Sequence, residues 1–362
     1  MQNRKRILRL LAAGCAMLVM ILDARTALLS AQSGLQLCIK TVIPSLYPFF
    51  VLSGIINSSL FGHDFRITGP VGRLCKIPKG GESLLFVGFL AGYPVGAQLI
   101  AQSYKNGSIS KETAHRMLGF CNNAGPAFLF GMLSPLFANS FVPWVIWGVH
   151  IASALTVGRF LPEKGESRCS ITPMSPMSLP QSLGIATRNM ASVCGWVITF
   201  RVIIGFCNRW FLWLFPEEGQ ILLTGFLELS NGIVLLKNLP SEGLRFILSS
   251  AMLSLGGLCV GMQTLSVTEG LGSGYYFPGK AAQCLLSVGF SLLLQPILFQ
   301  SEHAISVGIL PIVCTIVLTV VYFLLLRGKK VVAFTKSLLY NISNKCRKEP
   351  HYAVSQENNP LL

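Results

Sequence analysis

Charge is scarce in this chain. Only 12% of its 362 residues are charged, about half the share of a soluble domain. The acidic side is the poorer, with 14 Asp and Glu against 29 Lys and Arg, a formal charge of +15. Asp23 and Asp64 are the only aspartates in the sequence. Neither lies in an apolar run, so the paired aspartates of an intramembrane protease are missing. HExxH, GxSxG and P-loop patterns are also missing, and no enzyme is expected. The eleven cysteines, Cys15 to Cys346, stand singly without a CxxC pair. That excludes a zinc or disulfide framework and leaves them as small hydrophobes. No basic face interleaved with aromatics is present, so no nucleic-acid partner is expected. The basic residues crowd the loops and the tail instead, as the positive-inside rule requires.

Apolar sequence is abundant. Half the chain, 52%, is hydrophobic, and several runs approach the roughly 20 residues that a bilayer span needs. The fold expected is an all-α polytopic membrane protein in the cell membrane, with about eight transmembrane helices. The N-terminus resembles a signal peptide. Too few apolar residues precede Cys15 for an h-region of roughly 7–15, so Ile7–Leu22 is read as an uncleaved first span.

Arg4, Lys5, Arg6 and Arg9 put the N-terminus in the cytoplasm. Residues 24–40 are too polar to span and are expected to lie on the outer surface as an amphipathic helix. Thr41–Leu60 returns to a loop with Arg66, Arg73, Lys76 and Lys79. Leu84–Tyr104 is apolar but broken at Gly92-Tyr93-Pro94-Val95-Gly96, and Lys105, Lys111 and Arg116 follow it. A re-entrant hairpin keeps those charges on the cytoplasmic side. Met117–Ala138 and Phe141–Phe160 then go out and back. After a Pro- and Ser-rich linker, Arg188–Phe215 goes out. Gly219–Asn238, broken at GFLELSNG, forms a second hairpin from outside. Leu244–Val267, Ala281–Phe299 and Ile305–Leu326 complete the spans, and the basic tail is cytoplasmic like the N-terminus.

The two halves echo each other. Residues 41–54 align without gaps on 192–205, with Val42, Phe49, Val51 and Gly54 matching Val193, Phe200, Val202 and Gly205. Each half continues with a glycine-broken hairpin and then a span broken again, at FCNNAGP (120–126) and LGGLCVG (255–261). The charge pattern makes the units opposite in orientation. Inverted repeats with matching interruptions point to a binding site near the midplane. The domains expected are an N-terminal span and interfacial segment (1–40), a first repeat (41–160), a linker (161–182), a second repeat (183–300), a last span (301–326) and a tail (327–362).

Non-helical backbone at membrane depth survives only against protein or a wet cavity, so the interruptions supply the candidate site. The first hairpin offers Gly92, Tyr93, Pro94, Gly96 and Gln98, with freed backbone groups as ligands; a plain kink is the competing reading. Asn122, Asn123 and Gly125 precede Pro126, and amides carry both donors and acceptors; interhelical glue is the competing reading. Glu228 is a carboxylate in an intramembrane break and a functional candidate by default, with Ser230 and Asn231 beside it. An internal ion pair with Arg188 or Arg201 competes. Gly256, Gly257 and Gln263 complete the set. His150 reads as a satisfied buried histidine, and Lys280 as a marker of the cytoplasmic start of its span.

The stretch GYPVGAQLIAQSYKNGSISKETAHRMLGFCNNAGPAFLFG resembles the signature of YlbJ-type sporulation integral membrane proteins. GFLELSNG and SLGGLCVGMQ are similar to that family's second-half motifs. The resemblance covers about residues 40–300. It implies a nucleoside recognition (Gate) domain in each half and a membrane protein needed for spore formation. The function expected is binding or transport of a small polar solute, nucleoside-like or ion-coupled; the alternative is a scaffold for spore envelope or cortex assembly. No resident cofactor is expected, and Na⁺ or H⁺ is the candidate coupling ion. The partners expected are the lipid bilayer and a small solute, with homo-oligomerisation open.

Overall fold

A computed structural model describes residues 2–63, 69–162 and 175–299, together with positions 315, 319 and 322. All regular structure among these residues is helical. Four stretches are long and apolar enough to cross a membrane: Ala24–Leu60, Leu179–Trp210, Glu242–Val267 and Tyr276–Leu298. Most of the last expected span, Ile305–Leu326, and the whole tail lie outside the described residues, as do Asp64 and linker residues 163–174.

The chain opens with α1 (Gln2–Leu22) and α2 (Ala24–Leu37), whose N-cap Asp23 accepts from the Thr26 amide at 3.1 Å. A π-turn over Cys38–Val42 joins α2 to α3 (Ile43–Leu60), so 24–60 is one rod. This corrects the surface helix expected over 24–40. The small residues of that segment are the reason: a Cβ on Gly34 would sit 3.1 Å from the Ile198 Cα, and Ser30 packs under Gly205. They let the rod lie along α10 (Leu179–Trp210). Close backbone approach at small residues is how helices associate in lipid.

The two rods run antiparallel. Asp23 meets Arg209 at 3.7 Å, Cys38 Sγ donates to the Cys194 carbonyl at 3.9 Å, Tyr47 bonds Thr187 at 3.1 Å, and Ser182 donates to the Val51 carbonyl. α10 begins nine residues before the expected start at Arg188, because Ser178 and Gln181 form a capping box ahead of it. The end of the expected linker is therefore helix.

A short α4 (Gly69–Leu74) leads to α5 (Glu82–Ala91) and α6 (Val95–Lys105), which fold back on each other at Gly92, where φ is +83°. α7 (Lys111–Met117) stops at the start of the expected span Met117–Ala138. Eight residues of non-helical chain intervene before Pro126 opens α8 (Pro126–Leu133). That expected span is therefore not one helix. Pro126 has no N–H to continue a preceding helix, and it suits the first turn of a new one. α9 (Val142–Phe160) closes the first half.

The second half repeats this order. α11 (Glu217–Leu227) and α12 (Leu229–Leu235) fold back at Glu228. α13 (Glu242–Leu255) and α14 (Gly257–Val267) are divided at Gly256, which is left-handed with φ +79°. α15 (Tyr276–Leu298) follows and packs on α9 and α13. Contacts across the halves come in matched pairs, α6 on α14 and α12 on α8. One buried core, with Val42, Phe128, Val193 and Val260 among its members, spans both halves; a second lies around Phe120, Met117 and Ile100.

Candidate functional site

Within each half the two breaks pack against each other, backbone on backbone. A Cβ at Gly88 or Gly96 would overlap the Cys121 carbonyl oxygen, and one at Gly92 would lie 2.7 Å from the Gly125 nitrogen. In the second half a Cβ on Gly257 would lie 2.9 Å from the Gly225 carbonyl oxygen, and Gly232 sits against Gly225. Glycine is required at these crossings because any side chain would force the segments apart.

Between the halves lies a small cavity. Its walls are Val42, Leu46, Tyr93 and Phe128 from the first half, and Val193, Val197, Glu228, Leu229, Ser230, Val260 and Gln263 from the second. Val42 and Val193, like Leu46 and Val197, line it at positions related by the offset of the gapless alignment. Tyr93 and Glu228 are both break residues of their hairpins. Traced by the centre of a water molecule, the cavity measures about 20 Å³; one buried water needs roughly 10–15 Å³ on that measure. In this conformation it admits a water or a bare ion, and nothing of nucleoside size.

Glu228 is buried and caps α12. Its Oε1 accepts from the Ser230 amide at 3.1 Å, and its Oε2 accepts from the Asn231 amide at 2.8 Å and from Asn231 Nδ2 at 2.6 Å. No ion pair to Arg188 or Arg201 forms among the described residues, which corrects that competing reading; Arg201 instead donates to Ser33 at 3.2 Å. A carboxylate offers about four acceptor sites, so capacity remains on Oε1. The Tyr93 hydroxyl is buried and has no hydrogen-bond partner among the described residues. Gln263 is also buried and holds only a weak contact to Cys259 Sγ at 3.4 Å. These groups give the cavity a polar corner.

The amide pair sits elsewhere. Asn122 Oδ1 accepts from the Ala97 amide at 3.3 Å, and its Nδ2 donates to Thr264 at 2.9 Å. Asn123 Nδ2 donates to the Phe120 carbonyl at 2.7 Å. Both residues are fully enclosed and neither lines the cavity. They join α6, α14 and the first-half break, as interhelical glue would. Gln98 accepts from Asn189 Nδ2 at 2.6 Å and ties α6 to α10. Pro94, in a cis Tyr93–Pro94 bond, together with Gly92, Gly96, Gly125, Gly256 and Gly257, shapes the breaks without lining the cavity. Asn231 supports Glu228 from outside the cavity wall.

His150 is a satisfied buried histidine. Its Nε2 accepts from the Ala124 amide at 3.1 Å, which leaves the proton on Nδ1, 3.2 Å from Ser254. Lys280 does not mark the edge of its span. It is buried, and its Nζ donates to the Asn122 carbonyl at 3.0 Å, Asn123 Oδ1 at 3.3 Å and Gln283 Oε1 at 2.7 Å. A lysine near the start of an apolar run is indistinguishable from an interface anchor without its neighbours. The available signal was Gly279 before it, which lies on Gly119 and draws that turn of α15 inward.

No family model and no solved structure matches the chain. A curated relative does. The chain is 30% identical over 138 residues to the Sporulation integral membrane protein YlbJ of Bacillus subtilis (strain 168), covering 36% of this chain and 32% of that protein. The match supports the YlbJ family. The chain spans about a third of that relative's length. The integral-membrane relative and the four apolar helical stretches together support a membrane location.

Proposed function

We propose that this chain is a sporulation-associated membrane protein without enzymatic activity that binds and moves a small polar solute between two inverted repeats. In this reading about eight segments cross the bilayer, α5–α6 and α11–α12 are re-entrant hairpins, each half is Gate-like, and both termini are cytoplasmic. The observation that carries it is the cavity. Equivalent positions of the two halves wall it, and the buried carboxylate of Glu228 and the Tyr93 hydroxyl, unbonded among the described residues, enter it from the two hairpin breaks. Antiparallel packing of the equivalent rods 24–60 and 179–210 supports inversion, and two units of opposite orientation can exchange conformations for alternating access. The cavity's size suits a closed form with an ion or proton at Glu228, with a nucleoside-like solute entering only on opening.

A scaffold is the second reading. It is favoured by the bonding of the Asn122 and Asn123 side chains to other parts of the chain and by the apolar majority of the cavity wall. Uptake of labelled nucleosides and amino sugars into reconstituted vesicles under imposed Na⁺ or proton gradients separates the two. Ion-driven uptake that Glu228→Gln abolishes supports the carrier. Uptake with unchanged ion dependence rejects the role of Glu228, and no uptake of any probe favours the scaffold.

A further inference from the structure

The first-half break is held from one side by a buried lysine amine of the chain itself. Three oxygens surround Lys280 Nζ: the Asn122 carbonyl at 3.0 Å, Asn123 Oδ1 at 3.3 Å and Gln283 Oε1 at 2.7 Å. All are neutral, and no carboxylate is paired with the ammonium among the described residues. One is a main-chain carbonyl freed by unwinding, and two are side-chain amides. Hard oxygen donors of this kind, converging on a buried point, are what an alkali cation takes from a protein. A buried ammonium without a counter-ion is costly. Three oxygens at hydrogen-bond distance are what offsets that cost here.

We infer that Lys280 occupies a monovalent-cation site as a tethered cation, so that the site becomes a Na⁺ site when the side chain is removed. Protonated lysine has three donors, one for each oxygen. The titratable groups facing it are His150 from α9 and Cys284 on its own helix; the Asn122–Ala124 segment offers amides and backbone. The cage also reaches the cavity. Asn122 bonds Thr264 on α14 at 2.9 Å, and α14 carries Val260 and Gln263 of the cavity wall. His150 and Gln283 hold the rest of the break, through the Ala124 amide at 3.1 Å and Asn123 Oδ1 at 3.1 Å. The inference concerns cation binding alone and stands or falls independently of solute transport.

The test uses the purified full-length protein in detergent, unfolded thermally in NaCl or in N-methylglucamine chloride of equal ionic strength. All chains carry Glu228→Gln, which removes any Na⁺ response of the cavity. The Lys280→Ala version should gain a saturable, Na⁺-specific rise in its midpoint that the Lys280 version lacks. At ten times the dissociation constant, Na⁺ should multiply its folded-to-unfolded ratio about elevenfold. The Lys280→Met version fills the cage without charge; it should melt lower than the Lys280 version and ignore Na⁺. Should Lys280→Ala fail to fold in N-methylglucamine, recovery of monodisperse protein in Na⁺ supports the inference and no recovery opposes it. A flat Na⁺ series for folded Lys280→Ala, or a Lys280→Met midpoint equal to that of the Lys280 version, overturns it.

Discussion

Lys280 donates to the main-chain carbonyl of Asn122, 158 residues away in sequence and 3.0 Å away in space. That bond joins α15 of the second half to the unwound break of the first. The ammonium is enclosed, so each of its acceptors matters more than an exposed one would.

Gln283→Leu removes the shortest of those bonds and leaves Asn123 Oδ1 without its second donor. Hydrogen bonds to charged groups contribute about 1.5–3 kcal/mol each. Unfolding in detergent should show a loss of about 2–3 kcal/mol. An exposed pair gives the contrast: Arg209→Ala breaks the Asp23 contact at 3.7 Å, with 69% and 31% of the two side chains exposed. It should cost under about 0.5 kcal/mol and nothing measurable at high salt.

Glycines at the crossings and glycines on open helix faces should respond with opposite signs. Gly88→Ala and Gly96→Ala drive a methyl into the Cys121 carbonyl; each should destabilise by about 1–3 kcal/mol, as overpacking does. Gly184 on α10 has open space at its Cβ position. Gly184→Ala should stabilise by up to about 1 kcal/mol. Thermal midpoints of the three variants read both signs in one series.

The interruptions were legible in the sequence because Gly and Pro inside an apolar run leave few alternatives. Gly92, Pro126 and Gly256 each mark an observed break. The matched walls of the cavity were half legible: Val42 and Val193 aligned without gaps, but nothing local showed that they line one cavity. The role of Lys280 was not legible. Its burial depends on an amide pair more than 150 residues away, and the sequence around it reads the same whether it points to water or to Asn122. Residues 24–40 misled for a related reason. Their Ser, Gln and Gly look solvent-facing, yet Ser30 and Gly34 are small enough to bring two helix backbones together. Asn122 and Asn123 are buried, but residue type alone cannot separate a ligand from a clasp.

Opposite insertion of the hairpins predicts opposite accessibility. Asn106→Cys, just past α6, and Glu218→Cys, at the start of α11, are both exposed positions. With Cys15, Cys169 and Cys346 replaced by Ser, a membrane-impermeant thiol reagent should label Asn106→Cys from the cytoplasmic side only and Glu218→Cys from the outer side only. Labelling of both from one side would remove the inversion.

Tyr93→Phe deletes a buried hydroxyl that bonds to nothing among the described residues. Removing an unsatisfied buried group is near neutral or mildly stabilising, so the thermal midpoint without ligand should stay level or rise slightly. If the hydroxyl serves a ligand, the loss appears only when ligand is present.

The most direct measurement is a ligand thermal-shift series on purified wild-type, Tyr93→Phe and Glu228→Gln proteins, with nucleosides, amino sugars and Na⁺ as probes. The account predicts that at least one probe raises the wild-type midpoint and that both substitutions remove the rise. A wild-type protein indifferent to every probe, or a rise that survives both substitutions, would contradict a binding site between the two halves.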